Sequence, residues 1–466
     1  MSPTNASENE DTDILTPAQD SAEDRREDEE DLQCAREGLP AKEGSSQWWK
    51  HLGPGLITGA ADDDPSGIGT YSVTGAQFGY GLLWLVPFCL PLMIAVQEMC
   101  GRVGLITGKG LAAVIKQHYP RWLLYGSVLL LVGANVVNIY ADLNVMAASA
   151  KMLFHGPFVL WLVVMTLAIA LAQIFIPYHH YVKVLKWLCL ALGAYVVVAL
   201  LPSVHNDWAA IARHSVVPSW TMKPAFLLTV VGFLGTTISP YLFFWQAGEE
   251  VEEEIAEGKA DRPGHRTERV SDDEVRNLRA DTMIGMFASQ AVCFFIIICT
   301  AATLHAHGKI DINTAQDAAE ALRPLGSAAY WLFTLGMLGT GLLAIPTLAG
   351  SAAYAVSETF GWRYGLYRRL RRARGFYLTV GATTVIGALL NFVHALDPVK
   401  ALLYSAVLNG IVAVPLLVVL MLVCNNAKIV KERVNGPLSN LVGWLTVALM
   451  AGAAGIMIWA LATGKA

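Results

Sequence analysis

A chain of 466 residues that is 54% hydrophobic and only 15% charged, with a mean hydropathy of +0.45, is too apolar for a water-soluble fold. A soluble chain of this length would normally divide into several domains. This one divides instead into roughly eleven apolar stretches, each near the ~20 residues that cross about 30 Å of hydrocarbon. The net charge of −5 owes much to the N-terminal segment and says little about partners.

In chain order, the first 46 or so residues are rich in Asp, Glu, Ser and Pro and nearly free of large apolar groups, which predicts a disordered acidic tail. They lack the basic start, apolar core and small-residue cleavage site of a signal peptide. Residues 47–466 form one transmembrane domain, with spans expected at 53–75, 80–102, 122–149, 156–177, 181–202, 224–247, 281–305, 326–357, 375–393, 399–424 and 439–462. Twenty-one Lys and Arg fall in the even-numbered connections and seven on the opposite side, which by the positive-inside rule places the N-terminus in the cytoplasm and the C-terminus outside. Seven scattered cysteines with no CxxC (Cys34, Cys89, Cys100, Cys189, Cys293, Cys299, Cys424) read as small apolar packers, not as disulfides or a zinc site.

Two of these spans are interrupted. Ala60-Ala61-Asp62-Asp63-Asp64-Pro65-Ser66-Gly67 breaks the first and Gly235-Thr236-Thr237-Ile238-Ser239-Pro240-Tyr241 breaks the sixth. An acid near a helix centre costs about 2.5–3.5 kcal/mol on insertion scales, so three in a row imply water, a cation or both beside them. Asp or Ser followed by Pro is a helix-start signature, so each span is expected to stop and restart in mid-membrane; for Pro240 a simple proline kink is the competing reading. Discontinuous helices at matching positions of two five-helix halves, about 53–202 and 224–424, point to inverted repeats with a site between them and one extra helix at 439–462.

The run Gly53-Pro54-Gly55-Leu56, Asp64-Pro65-Ser66-Gly67 and Gln77-Phe78-Gly79-Tyr80 resembles the Nramp family of divalent metal transporters across all eleven spans. The resemblance implies an all-α integral membrane protein with a LeuT-like fold, broken helices 1 and 6, and alternating access to a metal site at the midplane. Asp64 matches the family's metal-binding aspartate. Gly67 stands in place of its metal-binding asparagine, Thr236 in place of an alanine that presents its backbone carbonyl, and Ser239 in place of its methionine. Loss of that soft thioether leaves oxygen donors, which suit Mg²⁺, Ca²⁺ and Mn²⁺, and the smaller side chains leave room for a partly hydrated ion. The expected cargo is therefore Mg²⁺ first and Mn²⁺ second, as in the family's magnesium-transporting branch, with Fe²⁺ the softer alternative.

Asp62 and Asp63, uncharged in ordinary relatives, are expected to draw a dication along the aqueous path or to hold its outer waters; the duller reading is a protonated or water-facing acid. The family's proton route, histidines after the span-six proline and an Asp with a Glu three residues later in span three, is reduced here to Tyr241, Gln246, Asp142 and Val145. Weak or absent proton coupling follows, with a proton-coupled Mn²⁺/Fe²⁺ transporter as the alternative. Asn409 is a candidate further oxygen or an interhelical hydrogen-bonding group. Glu98 is expected to pair with Arg102, and the run Glu249-Glu250-Val251-Glu252-Glu253-Glu254 to be a solvated helix end. His179, His180, His305 and His307 read as interfacial groups and not as transport ligands.

Rival classes fit less well. An amino-acid or amine transporter on the same fold needs an uncharged break to receive a carboxylate, which Asp62 to Asp64 would repel. No HExxH helix, Gly-x-Ser-x-Gly elbow or P-loop marks an enzyme or an ATP-driven pump. The partners expected are a divalent cation and the lipid bilayer, with no nucleic acid, no identified protein partner, and no cofactor beyond the transported Mg²⁺ or Mn²⁺. A prokaryotic inner membrane is the expected location.

Overall fold

The structure is a computed structural model and describes residues 54–175, 190–260, 262–266, 269–393 and 397–463. The acidic tail, His179, His180, Lys183, Lys186, Cys34, Cys189 and Lys465 lie outside the described residues.

Proline and aspartate set the first helix boundaries. Helix α1 (Pro54–Asp62) stops at the acid run, and α2 (Pro65–Phe78) restarts with Asp64 as N-cap and Pro65 in its first turn. The following helix, α3 (Leu85–Thr107), begins five residues later than expected because 78–86 is a series of tight turns, with Gly81 N–H bonded to Phe78 O and Leu83 N–H to Tyr80 O. After α4 (Arg121–Phe154), α5 (Phe158–Phe175) and α6 (Gly193–Leu200) the pattern repeats. Helix α7 (Pro224–Thr237) stops, Ile238 and Ser239 are non-helical, and α8 (Pro240–Ala256) restarts on Pro240. Four helices follow, α9 (Asp272–Thr303), α10 (Ala328–Phe360), α11 (Arg374–Val393) and α12 (Pro398–Cys424), and then α13 (Pro437–Ala462).

Among the described residues, eight stretches are long and apolar enough to cross a membrane. The α7–α8 pair is 94% buried over its most apolar window whereas α13 is 28% buried, so the second broken helix runs through the centre of the bundle and α13 along its edge. Large apolar side chains such as Leu129, Leu167, Phe287 and Leu441 are exposed, as a lipid-facing surface requires.

Glycine lets the broken helices approach their neighbours. Gly55 and Gly59, four residues apart on α1, meet Gly285 on α9 so closely that a Cβ on Gly285 would stand 2.2 Å from Gly55 O, and one on Gly59 2.3 Å from Gly285 O. Gly235 on α7 meets α12 in the same way, its Cβ position lying 2.1 Å from Ala406 O. Both contacts are backbone on backbone and cannot be relieved by a rotamer change.

Two expectations need correction. Helix α9 starts at Asp272, not near 281, because Ser271 and Glu274 form a reciprocal capping box that carries the helix beyond its apolar part. The acidic run at 249–254 is not a solvated helix end: Glu249, Glu250 and Glu254 are only 8%, 6% and 3% exposed. Their burial follows from tertiary partners. Glu250 accepts from Gln246 Nε2 (2.8 Å), Glu252 from Leu366 N–H (2.5 Å) and the Tyr354 hydroxyl, and Glu254 shares the Arg266 guanidinium with Glu274. Glu98 pairs with Arg102 (3.4 Å) as expected, and also with Arg279 (3.0 Å). The five described cysteines are buried and free.

Gly285→Ala is expected to destabilise the purified protein by about 1–3 kcal/mol, the usual range for overpacking, visible as a lower midpoint in a thermal-shift assay in detergent. Gly126→Ala, where nothing lies within 4 Å of the new methyl group, is expected to leave that midpoint unchanged or slightly raised.

Candidate metal site at the two helix breaks

The first break fixes Asp64. As N-cap of α2 it has extended backbone (φ −70°, ψ 167°), and its Oδ1 accepts the Gly67 N–H (2.6 Å) and the Ser66 hydroxyl (2.7 Å). These donors fix the side chain across the start of α2. They satisfy one oxygen only: Oδ2 is buried and has no hydrogen-bond partner. No Lys or Arg among the described residues pairs with Asp64, which is 1% exposed. A carboxylate so placed has one free oxygen to offer a cation.

Facing it is the end of α7. The Cβ of any side chain at Gly67 would lie 3.2 Å from Thr236 Oγ1 and 3.4 Å from Asp64 Oδ1, so this glycine leaves open the space between the two breaks. Thr236 Oγ1 is itself buried and unpartnered, so this residue offers its hydroxyl here. Its carbonyl, the atom the resemblance singles out, accepts the Ser239 hydroxyl (2.8 Å), which also lies 3.0 Å from Gly235 O. Ser239 thus ties off the end of α7 while its oxygen lone pairs stay available. Tyr241 binds the breaks together by donating to Ala61 O (2.8 Å).

Asp142 on α4 is the next acid. It is fully buried, neighbours Asp64 and the Ser66 N–H, and has no hydrogen-bond partner on either oxygen. Asn138, one turn earlier on the same face, is likewise buried and unpartnered at both amide atoms. So is Asn409 on α12, the helix that packs on both α2 and α7. Gln246 lies two turns along α8 and accepts from Thr58 while donating to Glu250, so it bridges α1 to α8 and stands apart from Asp64. Asp62 and Asp63 both meet the Ser289 hydroxyl on α9.

The structure therefore brings together Asp64, Gly67, Thr236, Ser239 and Asp142. Ser66, Asn138, Tyr71 and Ser289 escaped the sequence reading. Asn138 had a signal, its i, i+4 spacing from Asp142; Ser289 and Tyr71 had none, because their relevance depends on which helix packs against the break. Among the described residues no three His, Cys, Asp or Glu side chains converge to hold a metal, so an ion at Asp64 relies on one carboxylate with hydroxyls, carbonyls and its own water. His305 and His307 are bonded to backbone carbonyls of Ala76 and Thr303.

An all-helical membrane protein whose two broken helices meet at a buried acid has the architecture of a secondary transporter. A family model described as Nramp, natural resistance-associated macrophage protein-like, matches residues 55–460. The divalent metal cation transporter MntH of Caldanaerobacter subterraneus subsp. tengcongensis is 24% identical over 428 residues, 89% of this chain and 94% of that protein. The crystal structure of the Eremococcus coleocola manganese transporter with an aromatic bis-isothiourea compound aligns over 91% of this chain and 89% of that one, with a TM-score of 0.69 at 20% identity. A point mutant of that transporter gives a TM-score of 0.68 over 89% of this chain and 88% of its own, also at 20% identity. The chain belongs to the Nramp family, and is an integral membrane transporter of divalent metal ions and not an enzyme.

Tyr241→Phe keeps the ring and removes the hydroxyl that joins the breaks. The expected result is a loss of about 0.5–1.5 kcal/mol in stability, read as a lower thermal midpoint, together with slower metal uptake in proteoliposomes.

Proposed function

We propose that this protein carries a hard, partly hydrated dication, Mg²⁺ in preference to Mn²⁺, by alternating access and without obligatory proton coupling. One observation carries the reading: the side-chain groups placed at the two breaks beside Asp64 and Thr236 are oxygens, from Ser66, Thr236 and Ser239, with no thioether or imidazole among them. Such a set favours ions that hold water tightly over softer transition metals. Burial of Asp62, Asp63 and Asp64 at 0%, 6% and 1% exposure supports a closed state in which the ion is sealed from both faces, as alternating access requires. The distribution of Lys and Arg supports an inner-membrane orientation with the N-terminus cytoplasmic and the C-terminus outside.

A second reading, a proton-coupled Mn²⁺/Fe²⁺ transporter, draws support from Asp142, an unpartnered buried acid beside Asp64 that offers a proton acceptor. The names of the relatives, a divalent metal cation transporter and a manganese transporter, suit either reading.

Mg²⁺ influx into proteoliposomes is expected to fall about tenfold or more in Asp64→Ala, a loss of only about 1.4 kcal/mol of ion binding being enough. In Ser239→Met the ratio of Mn²⁺ to Mg²⁺ uptake is expected to rise. An internal pH dye read during uptake decides the coupling: an unchanged internal pH supports uncoupled transport, and acidification that tracks the metal establishes the second reading.

A further inference from the structure

The two acids beside Asp64 face a pocket of their own. Asp62 ends α1, Asp63 lies in the gap, and both meet Ser289 on α9, whose Oγ is 2.7 Å from Asp62 Oδ2 and 3.1 Å from Asp63 Oδ1. A serine hydroxyl carries one proton and can fully satisfy only one of these acceptors; the other carboxylate then faces a lone pair. Asp62 Oδ1 has no partner, and no Lys or Arg among the described residues pairs with either acid.

A third wall comes from α2. Tyr71, fully buried, brings its hydroxyl within electrostatic reach of Asp62, Asp63 and the Cys293 thiol, and Cys293 sits one turn beyond Ser289 on α9. This hydroxyl is buried and has no hydrogen-bond partner. Asp62, Asp63 and Ser289 thus meet with hydrogen-bonding capacity left over, and the Tyr71 hydroxyl from α2 lies within electrostatic reach of the two acids. Burying two acids without a basic partner costs several kcal/mol each unless something positive joins them. The Gly59–Gly285 contact holds α9 against α1 at the right height.

The geometry points to a second binding position for a hard divalent cation, formed by Asp62, Asp63 and Ser289 where α1 ends, with the Tyr71 hydroxyl of α2 within electrostatic reach. Two carboxylates match the charge of a dication, and hydroxyls with retained water complete an oxygen shell of the kind Mg²⁺, Mn²⁺ and Ca²⁺ accept. The role of this position rests on the reading of Asp64 as the cargo ligand: two dications this close repel, so filling one position loosens the other, and a tightly held ion is able to leave. From there the polar line continues one turn along α1, where Thr58 donates to Gln246 and Gln246 to Glu250.

The test counts ions. Purified full-length protein is titrated with Mn²⁺, and free Mn²⁺ is read by electron paramagnetic resonance. Two Mn²⁺ per chain are expected for the natural protein, one for Asp62→Asn and one for Asp64→Asn. The milder Ser289→Ala and Tyr71→Phe variants, checked for folding by gel filtration, are expected to weaken one of the two affinities several-fold. A count that Asp62→Asn leaves unchanged, with affinities that Ser289→Ala and Tyr71→Phe do not move, overturns the second position. Loss of one ion in Asp62→Asn but none in Asp64→Asn keeps it and removes the assignment of Asp64.

Discussion

A buried carboxylate with no basic partner is the constraint around which this protein is built. At membrane depth Asp64 cannot borrow solvation from water on either face, so the donors that hold its charge come from the chain itself. Interrupting the helix supplies them: the restart at Pro65 exposes the Gly67 N–H, places the Ser66 hydroxyl beside it, and aims the helix dipole at the acid. One oxygen is satisfied in this way and the other is buried without a partner. The break and the half-satisfied acid are a single feature.

The second break answers the first. Ending α7 in mid-membrane leaves free carbonyls that would be costly in hydrocarbon, and Ser239 ties off those of Gly235 and Thr236. Tyr241 then reaches across to Ala61, so the two interruptions are joined by hydrogen bonds and not only by packing. Glycine-to-backbone contacts at Gly59–Gly285 and Gly235–Ala406 bring α9 and α12 within reach of the broken segments. Side chains on unbroken helices, Ser289 on one and Asn409 on the other, come near the breaks on those surfaces.

Charge is distributed unevenly along this line. Asp64 neighbours Asp142 on α4, whereas Asp62 and Asp63 share the Ser289 hydroxyl on α9. Farther along α8, Glu250 and Glu254 are buried and Glu252 half-buried among Gln246, Tyr354 and the shared Arg266, which fastens the end of α8 to the start of α9. The end that locks with ion pairs and the centre that holds unpaired acids are physically different environments, although the sequence writes both as runs of carboxylates.

Much of the architecture was legible in residue order. The apolar spans, their interruption at Asp64-Pro65 and Ser239-Pro240, and the N-cap role of Asp64 follow from local rules, because helix starts and membrane-length runs are determined by a few neighbouring residues. Local rules failed where a distant partner decides. The Glu249 to Glu254 run read as solvated because Tyr354, Leu366 and Arg266 lie far from it in sequence, and α9 read as nine residues too short because its polar first turns are held by a cap and not by hydrophobicity. The sequence by itself determined that acids sit at an interrupted membrane helix. Only the packing of α7, α9 and α4 around that interruption decided which oxygens face which acid, since side chains more than a hundred residues apart meet through contacts that no local pattern encodes.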